Sequence, residues 1–175
     1  FDNITKWLLY GQIDFDFICE SLLPQLYNAN DEGLQIGEMC YDTVIVPGCE
    51  TLRKTTLDAL RQFRKAGGNL IFLGQCPTLV DAAPSDEAKA LYQSSKQVAF
   101  EKNAVLSALQ GDRTIEIKNS DGTPTDNLFY QLRQDQGCNW LFIAQGKNHG
   151  VVDIPHRQDI QITVRGDYRP VLYNT

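Results

Sequence analysis

The stretch from residue 41 to residue 76 places the strongest constraint on how this chain folds, because it has the order strand, helix, strand. Residues 42–46 form a short β-branched run that predicts a strand, and Pro47-Gly48 ends it, since proline has no N–H for the next ladder bond. Residues 70–73 are apolar without alternation, which is typical of a strand covered on both faces. Two such strands joined by a helix form a βαβ unit. We therefore expect a parallel sheet of the α/β class.

The helix between these strands is predicted from its apolar pattern. Apolar residues recur at three- and four-residue intervals across residues 57–66, so we expect one face of the helix to pack against the domain and the other to face solvent. Thr55 stands three residues before Asp58, a pattern like a capping box, and predicts that the helix begins at Thr55. Gly67-Gly68 supplies the left-handed position at which helices commonly end.

The carboxyl ends of the two strands form the candidate binding site, because ligand crevices in doubly wound sheets lie beyond those ends. The candidate binding residues there are Gly48, Cys49, Glu50, Gln75 and Cys76. Cys76 is the sharpest enzymatic candidate, since a thiol just after a buried strand is placed as an elbow-type nucleophile is. A thiol nucleophile also needs a base, and the two histidines, His149 and His156, lie in predicted loops of the C-terminal half.

These candidates also have structural interpretations. Cys76 and Cys49 are more readily explained as half-buried structural cysteines, because no base accompanies them. Glu50 is more readily explained as a solvated loop charge. Trp7, Trp140 and the tyrosines can stack on sugar rings, although aromatic residues in alternating strands usually belong to a core.

Composition narrows the function classes. The net charge of -6 and the pI of about 4.8 argue against nucleic acid and anionic membranes as partners. No apolar run approaches the roughly 20 residues that span a bilayer. The five cysteines are odd in number and widely spaced, so we expect free thiols rather than a zinc motif or a disulfide framework. The sequence has no P-loop, no GxGxxG and no metal-spaced ligand set, so we expect neither a cofactor nor a metal.

The remaining elements divide the chain into two predicted domains. Periodicity changes from helical to alternating near residue 112, which predicts an α/β domain over residues 1–112 and antiparallel β structure over residues 113–175. Helices are predicted over residues 1–10, from an aspartate cap at Asp14 and Asp16 to about Pro24, from Ser85 to about Gln93, and over residues 103–109. Further strands are predicted at residues 34–36, 115–117, 128–133, 140–144 and 160–164 and from Val171. The strands at 128–133 and 140–144 flank the turn residues Asp135-Gln136-Gly137 and are predicted to form a β-hairpin. Residues 77–84 are predicted to be an irregular loop.

The strand count predicts that both domains are incomplete. The α/β part shows two convincing strands where such sheets usually have about five, and its N-terminal strand is expected to be missing. The β part has about five short strands where a sandwich has about seven. The chain also begins at Phe1 without methionine. We therefore expect a piece of a longer polypeptide.

The chain resembles the segment after the catalytic barrel in large bacterial glycoside hydrolases of the β-galactosidase and α-L-rhamnosidase kind. The resemblance rests on YDTVIVPGCETLRKTTLDALRQFRKAGGNLIFLGQCPTLVDA, preceded by DFDFICESLL. That segment is a flavodoxin-like three-layer domain related to class I glutamine amidotransferases, called the trimerisation domain in some β-galactosidases. The later stretches LFYQLRQDQGCNWLFIAQG and DIQITVRGDYRPVLYNT are similar to the start of the β-sandwich that follows it.

The resemblance implies an accessory, non-catalytic fragment whose partner is the barrel of its parent polypeptide, with a homo-oligomer and carbohydrate as further expected partners. It places the catalytic carboxylates upstream, so no catalytic residue is assigned here. It also favours a periplasmic or extracellular location, while the free thiols leave a cytoplasmic one open. Two alternatives remain: a thiol or amidotransferase-like enzyme that uses Cys76, and a small-ligand binding module at the strand-end crevice.

Overall fold

The structure is a computed structural model that describes residues 2–29, 33–147 and 157–172. Its helices in chain order are α1 (Asp2–Tyr10), α2 (Leu23–Leu26), α3 (Lys54–Lys65), α4 (Asp86–Ser94) and α5 (Lys102–Ala108), followed by a 3₁₀ turn (Gln110–Asp112). Its strands are β1 (Tyr27–Ala29), β2 (Leu34–Ile36), β3 (Met39–Tyr41), β4 (Thr43–Val46), β5 (Thr51–Leu52), β6 (Asn69–Leu73), β7 (Leu79–Val80), β8 (Ala83–Pro84), β9 (Lys96–Val98), β10 (Ile115–Asn119), β11 (Leu128–Asp135), β12 (Cys138–Gln145) and β13 (Ile160–Val164). Among the described residues, no helix is both long and apolar enough to cross a membrane.

The chain divides into two compact units. Asp16–Ala108 forms one, called here the α/β unit, and Phe1–Phe15 with Leu109–Thr175 forms the other, called the β unit. This differs from the predicted domain over residues 1–112, because the first 15 residues group with the C-terminal part of the chain. The periodicity of α1 predicted a helix correctly, but an apolar face does not specify which surface covers it.

The α/β unit contains the predicted βαβ element. Strands β4 and β6 pair in parallel, from Thr43 opposite Asn69 to Val46 opposite Phe72, and α3 connects them. Strand β9 joins in parallel on the other side of β6, so the sheet order is β4-β6-β9. The mixed α/β class with a parallel sheet is thus confirmed. The sequence missed β9 because two of its three residues are polar and exposed.

Strand β6 is buried on both faces, as its unbroken apolar run predicted. Leu70 and Phe72 pack in the cluster that contains Leu57, Leu60 and Phe63 of α3. Ile71 and Leu73 alternate with them and are equally buried. A central strand covered on both sides explains why this segment has no polar position after Asn69.

Helix α3 begins one residue earlier than predicted, and the predicted capping box is wrong. Its N-cap is Arg53, whose side chain makes no cap hydrogen bond. Carboxylates that are distant in sequence accept from the first amides instead: Arg53 N–H donates to Glu20 (2.9 Å) and Lys54 N–H to Asp81 (3.1 Å). Asp58 forms an ion pair with Lys54 at 3.1 Å. The cap is therefore a tertiary interaction that a local pattern does not reveal.

The predicted helix from Asp14 to Pro24 is wrong. Residues 13–19 have no regular structure, and α2 begins at Leu23 with Pro24 in its first turn. Proline suits the first turn of a helix because the amide it lacks has no partner there. The Asp16 carboxylate accepts from the Tyr41 hydroxyl (2.6 Å) rather than capping a helix.

Residues 77–84 are more regular than predicted. Strands β7 and β8 pair antiparallel, with Asp81 and Ala82 at positive φ between them, and β5 pairs with β7 in parallel. The helix predicted after Ser85 is confirmed as α4, where the Ser85 hydroxyl accepts from Glu87 N–H at 3.2 Å. Strands β1, β2 and β3 form a separate antiparallel sheet that includes the strand predicted at residues 34–36.

The β unit contains the predicted hairpin and two of the predicted alternating strands. Strands β11 and β12 pair antiparallel across Gln136-Gly137, both at positive φ, as a tight hairpin turn with the matching twist requires. Strands β10 and β13 form a second antiparallel pair. The strand predicted from Val171 is not present at Val171 and Leu172, and its residue 173 lies outside the described residues.

The core of the β unit lies under both pairs of strands. Ile115, Ile117 and Leu128 are buried, and Tyr130, Leu141, Ile143, Ile160 and Val164 pack against them. Burial, together with the negative charge of Asp14, raises the pKa of Tyr130 to about 12. The Tyr130 hydroxyl therefore stays protonated throughout the neutral range.

The side chain of Gln12 takes the place of a neighbouring strand along β10. Its amide Nε2 donates to the Ile117 carbonyl (2.8 Å) and to the Thr125 hydroxyl (2.8 Å), while its Oε1 accepts from Ile117 N–H (2.6 Å). Gln12 is only 4% exposed. The N–H of Ile117 therefore depends on one buried side chain, whereas its carbonyl also accepts from the Thr125 hydroxyl (3.1 Å) and the Thr125 N–H (3.3 Å).

Replacing Gln12 is expected to destabilise the β unit. Gln12→Ala leaves the buried N–H of Ile117 without its acceptor and removes one of the donors to the Ile117 carbonyl, at a cost of about 2 kcal/mol in the free energy of unfolding. Trp7 and Trp140 both lie in the β unit, so urea unfolding followed by tryptophan fluorescence measures this change. The control is Gln134→Ala at an exposed strand position, where we expect a change within about 0.5 kcal/mol. Equal effects of the two substitutions would contradict the role given to Gln12.

A second prediction concerns the turn between α3 and β6. A Cβ at Gly68 would lie 2.2 Å from the ring of Phe63, a side chain that is 1% exposed in the core. Gly68→Ala must therefore displace a packed ring, and we expect it to lower the unfolding free energy by about 2 kcal/mol. Gly111→Ala is the matched control, since nothing lies within 4 Å of that Cβ. Thermal unfolding followed by far-UV circular dichroism compares the two, and unchanged stability of Gly68→Ala would show that the Phe63 ring is not fixed.

Candidate functional site

The loops after β4 and β6 lie side by side, as predicted for parallel neighbours. The Glu50 carbonyl accepts from the backbone amides of Thr78 and Leu79, each at 3.0 Å. A Cβ at Gly48 would lie 3.2 Å from the Leu73 carbonyl oxygen, so the backbone of one loop is close to the end of the other strand. The five predicted residues are therefore brought to one edge of the sheet.

Their side chains do not converge on one chemical centre. Glu50 and Gln75 are exposed, whereas Cys49 and Cys76 are half-buried. Cys49 packs against the α/β core cluster, and the Cys76 thiol donates to the carbonyl of Pro77 at 3.4 Å. Among the described residues, no hydrogen bond joins any two of the four side chains that these five residues carry. At this edge the two loops contact each other through backbone atoms, and their side chains do not form a set of aligned reactive groups.

The environment of Cys49 opposes thiolate formation. Burial raises the pKa of the Cys49 thiol, and the negative charge of Glu20 raises it further. The two histidines that the sequence offered as bases, His149 and His156, lie outside the described residues. Within the described part of the chain, no group of three or more His, Cys, Asp or Glu side chains is arranged to hold a metal ion.

The pKa of the Cys19 thiol is lowered, in contrast to that of Cys49, and Cys19 is not among the site residues predicted from the sequence. Its Sγ lies 3.0 Å from the Ser21 hydroxyl, and this hydrogen bond, together with the Ser21 N–H and the charge of Arg53, lowers the pKa of Cys19. Cys19 is exposed. The local signal is the serine two residues later at the start of a turn, but the contribution of Arg53 comes from tertiary structure.

An open cleft lies elsewhere on the α/β unit, between α3 and α4. Its volume is about 300 Å³, and it is lined by Arg61, Arg64, Lys65, Ala90, Leu91 and Ser94. None of the five predicted site residues lines it. The sequence signal was the group of basic residues Arg61, Arg64 and Lys65 in a helix whose outer face was predicted to be exposed to solvent.

A network of charges borders this cleft. Glu87 contacts Lys54 at 2.7 Å and Arg61 at 2.6 Å, and these two cations lower the pKa of Glu87. Asp58 contacts both Lys54 and Arg61, at 3.1 and 3.6 Å. Because these side chains are substantially exposed, the network contributes little to stability and mainly determines local charge.

The β unit exposes aromatic residues that the sequence placed more readily in a core. Trp140 is 51% and Phe142 is 66% exposed. They alternate along β12 with Leu141 and Ile143, which pack against the core of the unit. Across the hairpin, Arg133 stands opposite Trp140, and Gln131 stands opposite Phe142. The outer face of the hairpin therefore combines aromatic and polar side chains.

Comparison of the chain with protein-family models, with curated proteins and with solved structures found no match in any of the three. The resemblance to glycoside hydrolases therefore stays a prediction.

The contrast between the cysteines gives a direct test of the thiol-enzyme alternative. With iodoacetamide near neutral pH, we expect Cys19 to be alkylated faster than Cys49, because the thiolate is the nucleophile and the two pKa values are shifted in opposite directions. Peptide mass spectrometry over a time course measures the rate at each site. Ser21→Ala removes the main hydrogen bond to Cys19 and should slow its alkylation while leaving Cys49 unchanged. Rapid, stoichiometric and selective alkylation of Cys76 would instead favour a thiol enzyme.

Proposed function

We propose that this chain is an accessory, non-catalytic part of a larger carbohydrate-active glycoside hydrolase, with a flavodoxin-like α/β unit and part of a β-sandwich. Its role is to pack against other parts of the parent protein, such as the catalytic barrel, the wall of the sugar cleft or a subunit interface. The order of elements supports the proposal, because a parallel βαβ element precedes the antiparallel strands β10 to β13, as in the segment that the sequence resembles.

The observation that carries a packing role is apolar side chains left exposed in both units. Phe17, Ile18 and Leu22 lie within one six-residue stretch of the α/β unit and are 58%, 41% and 47% exposed. In the β unit, Trp140 and Phe142 are exposed on neighbouring positions of one strand face. Scattered single apolar residues are normal on a protein surface, but grouped ones mark surfaces that bind another surface.

The loops at the strand ends support the non-catalytic part of the proposal. Glycoside hydrolysis needs two carboxyl groups roughly 5 to 10 Å apart on either side of the scissile bond. Glu50 is the one carboxylate among the five candidate residues there, and the nearby Glu20 carboxylate accepts from Arg53 N–H at the start of α3. Glu20 thus has a structural task. The raised pKa of the Cys49 thiol also gives no support to Cys49 as a nucleophile in place of a second carboxylate.

The direct test of the non-catalytic role is enzymatic. The purified 19.7 kDa chain is expected to hydrolyse no aryl β-galactoside or aryl α-L-rhamnoside, with an active enzyme for each substrate assayed in parallel as the control. Turnover by the chain that survives further purification would refute the proposal. The intact mass of the native protein is the companion measurement, and a mass near 19.7 kDa would favour a stand-alone domain.

The packing role has its own test, which compares one substitution in two settings. In this chain Phe142 is already exposed, so Phe142→Thr should change its stability by less than about 0.5 kcal/mol. In the native full-length protein the same side chain would be covered, and the substitution should cost about 2 kcal/mol. Chemical unfolding of both proteins gives the two values. Equal effects in both would show that Phe142 does not contact the rest of the parent protein.

A further inference from the structure

The cleft between α3 and α4 concentrates positive charge on an acidic chain. All of its charged lining residues are cations, Arg61, Arg64 and Lys65, although the chain has a net charge of -6. Arg64 and Lys65 follow Arg61 by three and four residues along α3, which places all three side chains on one face of the helix. The other wall comes from Ala90, Leu91 and Ser94 of α4.

The charges in the cleft are only partly neutralised. Arg61 is paired, since its guanidinium contacts Glu87 at 2.6 Å and Asp58 at 3.6 Å. Arg64 uses Nε to donate to the Ser94 carbonyl at 3.3 Å, which leaves the outer nitrogens of its guanidinium fork to other acceptors. In the part of the chain that the structure describes, neither Arg64 nor Lys65 forms an ion pair.

The helix dipole alone does not balance these cations. Arg64 and Lys65 lie in the last turn of α3, and Ser94 is the last residue of α4. Each helix C-terminus carries the equivalent of about half a negative charge. Two such termini therefore offset about one unit of the positive charge that Arg64 and Lys65 bring. The cleft keeps a positive potential at a place where a ligand can enter from solvent.

We propose that this cleft binds a small multivalent oxyanion, a phosphate or polycarboxylate group of a metabolite-sized ligand. The planar fork of Arg64 matches two oxygens of such a group, and Lys65 adds a point charge beside it. Ala90 and Leu91 offer an apolar wall for the carbon part of the ligand. The inference uses only residues of the α/β unit and does not depend on the proposed role in a glycoside hydrolase.

The experiment is an NMR titration of this chain with inorganic phosphate and, separately, with citrate, each at constant ionic strength maintained with sodium chloride. We expect saturable shifts of the Arg64 Nε–Hε signal and of α3 and α4 amides, with a dissociation constant on the order of 1 mM. Tighter binding of phosphate would assign the tetrahedral class, and tighter binding of citrate the carboxylate class.

Three variants separate a specific site from general charge attraction. Arg64→Gln should weaken binding about fivefold, the effect of one exposed charge contact. Glu87→Gln should tighten binding, because it removes the carboxylate that engages Arg61 and Lys54 beside the cleft. Lys102→Gln is the matched control, since it removes one exposed positive charge elsewhere in the same unit and should leave binding unchanged.

The expected gain in anion affinity for Glu87→Gln is the decisive result, because a damaged fold cannot produce a gain in affinity. Circular dichroism of each variant checks that the unit remains folded. Non-saturable shifts, equal losses for Arg64→Gln and Lys102→Gln, or unchanged affinity for Glu87→Gln would each overturn the proposal.

Discussion

The double burial of β6 is the constraint on which the α/β unit depends. Leu70 and Phe72 pack under α3 on one face, and Ile71 and Leu73 are equally buried on the other. The strand also pairs on both edges, with β4 and with β9. Its backbone groups therefore have ladder partners on each side, and its side chains exclude water above and below. Because β4 and β6 are parallel neighbours, the loops that follow them lie together at the carboxyl end of the sheet.

Helix α3 contributes both to that core and to the charged surface of the unit. Its inner face packs on β6, while its outer face carries the cations that Glu87 bridges from α4. Its first amides are capped by Glu20 and Asp81 rather than by its own residues. Carboxylates from two other segments thus cap the start of the helix, and a carboxylate from a third, Glu87, contacts the cations on its outer face. An isolated α3 peptide would have none of these partners, which is why its local cap pattern misled the prediction of its first residue.

The predictable part of the candidate site was its position, and the unpredictable part was its chemistry. Chain order and strand polarity placed Gly48, Cys49, Glu50, Gln75 and Cys76 at one edge of the sheet, and the structure brings their loops together there. Whether a side chain faces solvent or core depends on the exact path of the loop, so the inward packing of Cys49 was not visible in sequence. The thiol with a lowered pKa, Cys19, was missed because part of its environment is supplied by Arg53, which is remote in sequence.

The sequence by itself determined the elements whose stabilisation is local: the strand-helix-strand order of β4, α3 and β6, the Ser85 cap of α4 and the tight turn between β11 and β12. Apolar periodicity, serine caps and turn residues act over a few residues, so they can be recognised without a partner. Tertiary structure alone decided that residues 1–15 group with the β unit and that Gln12 completes the edge of β10. Those outcomes depend on hydrogen bonds between residues more than 100 positions apart, and no local pattern encodes which distant backbone group will be left in need of a partner.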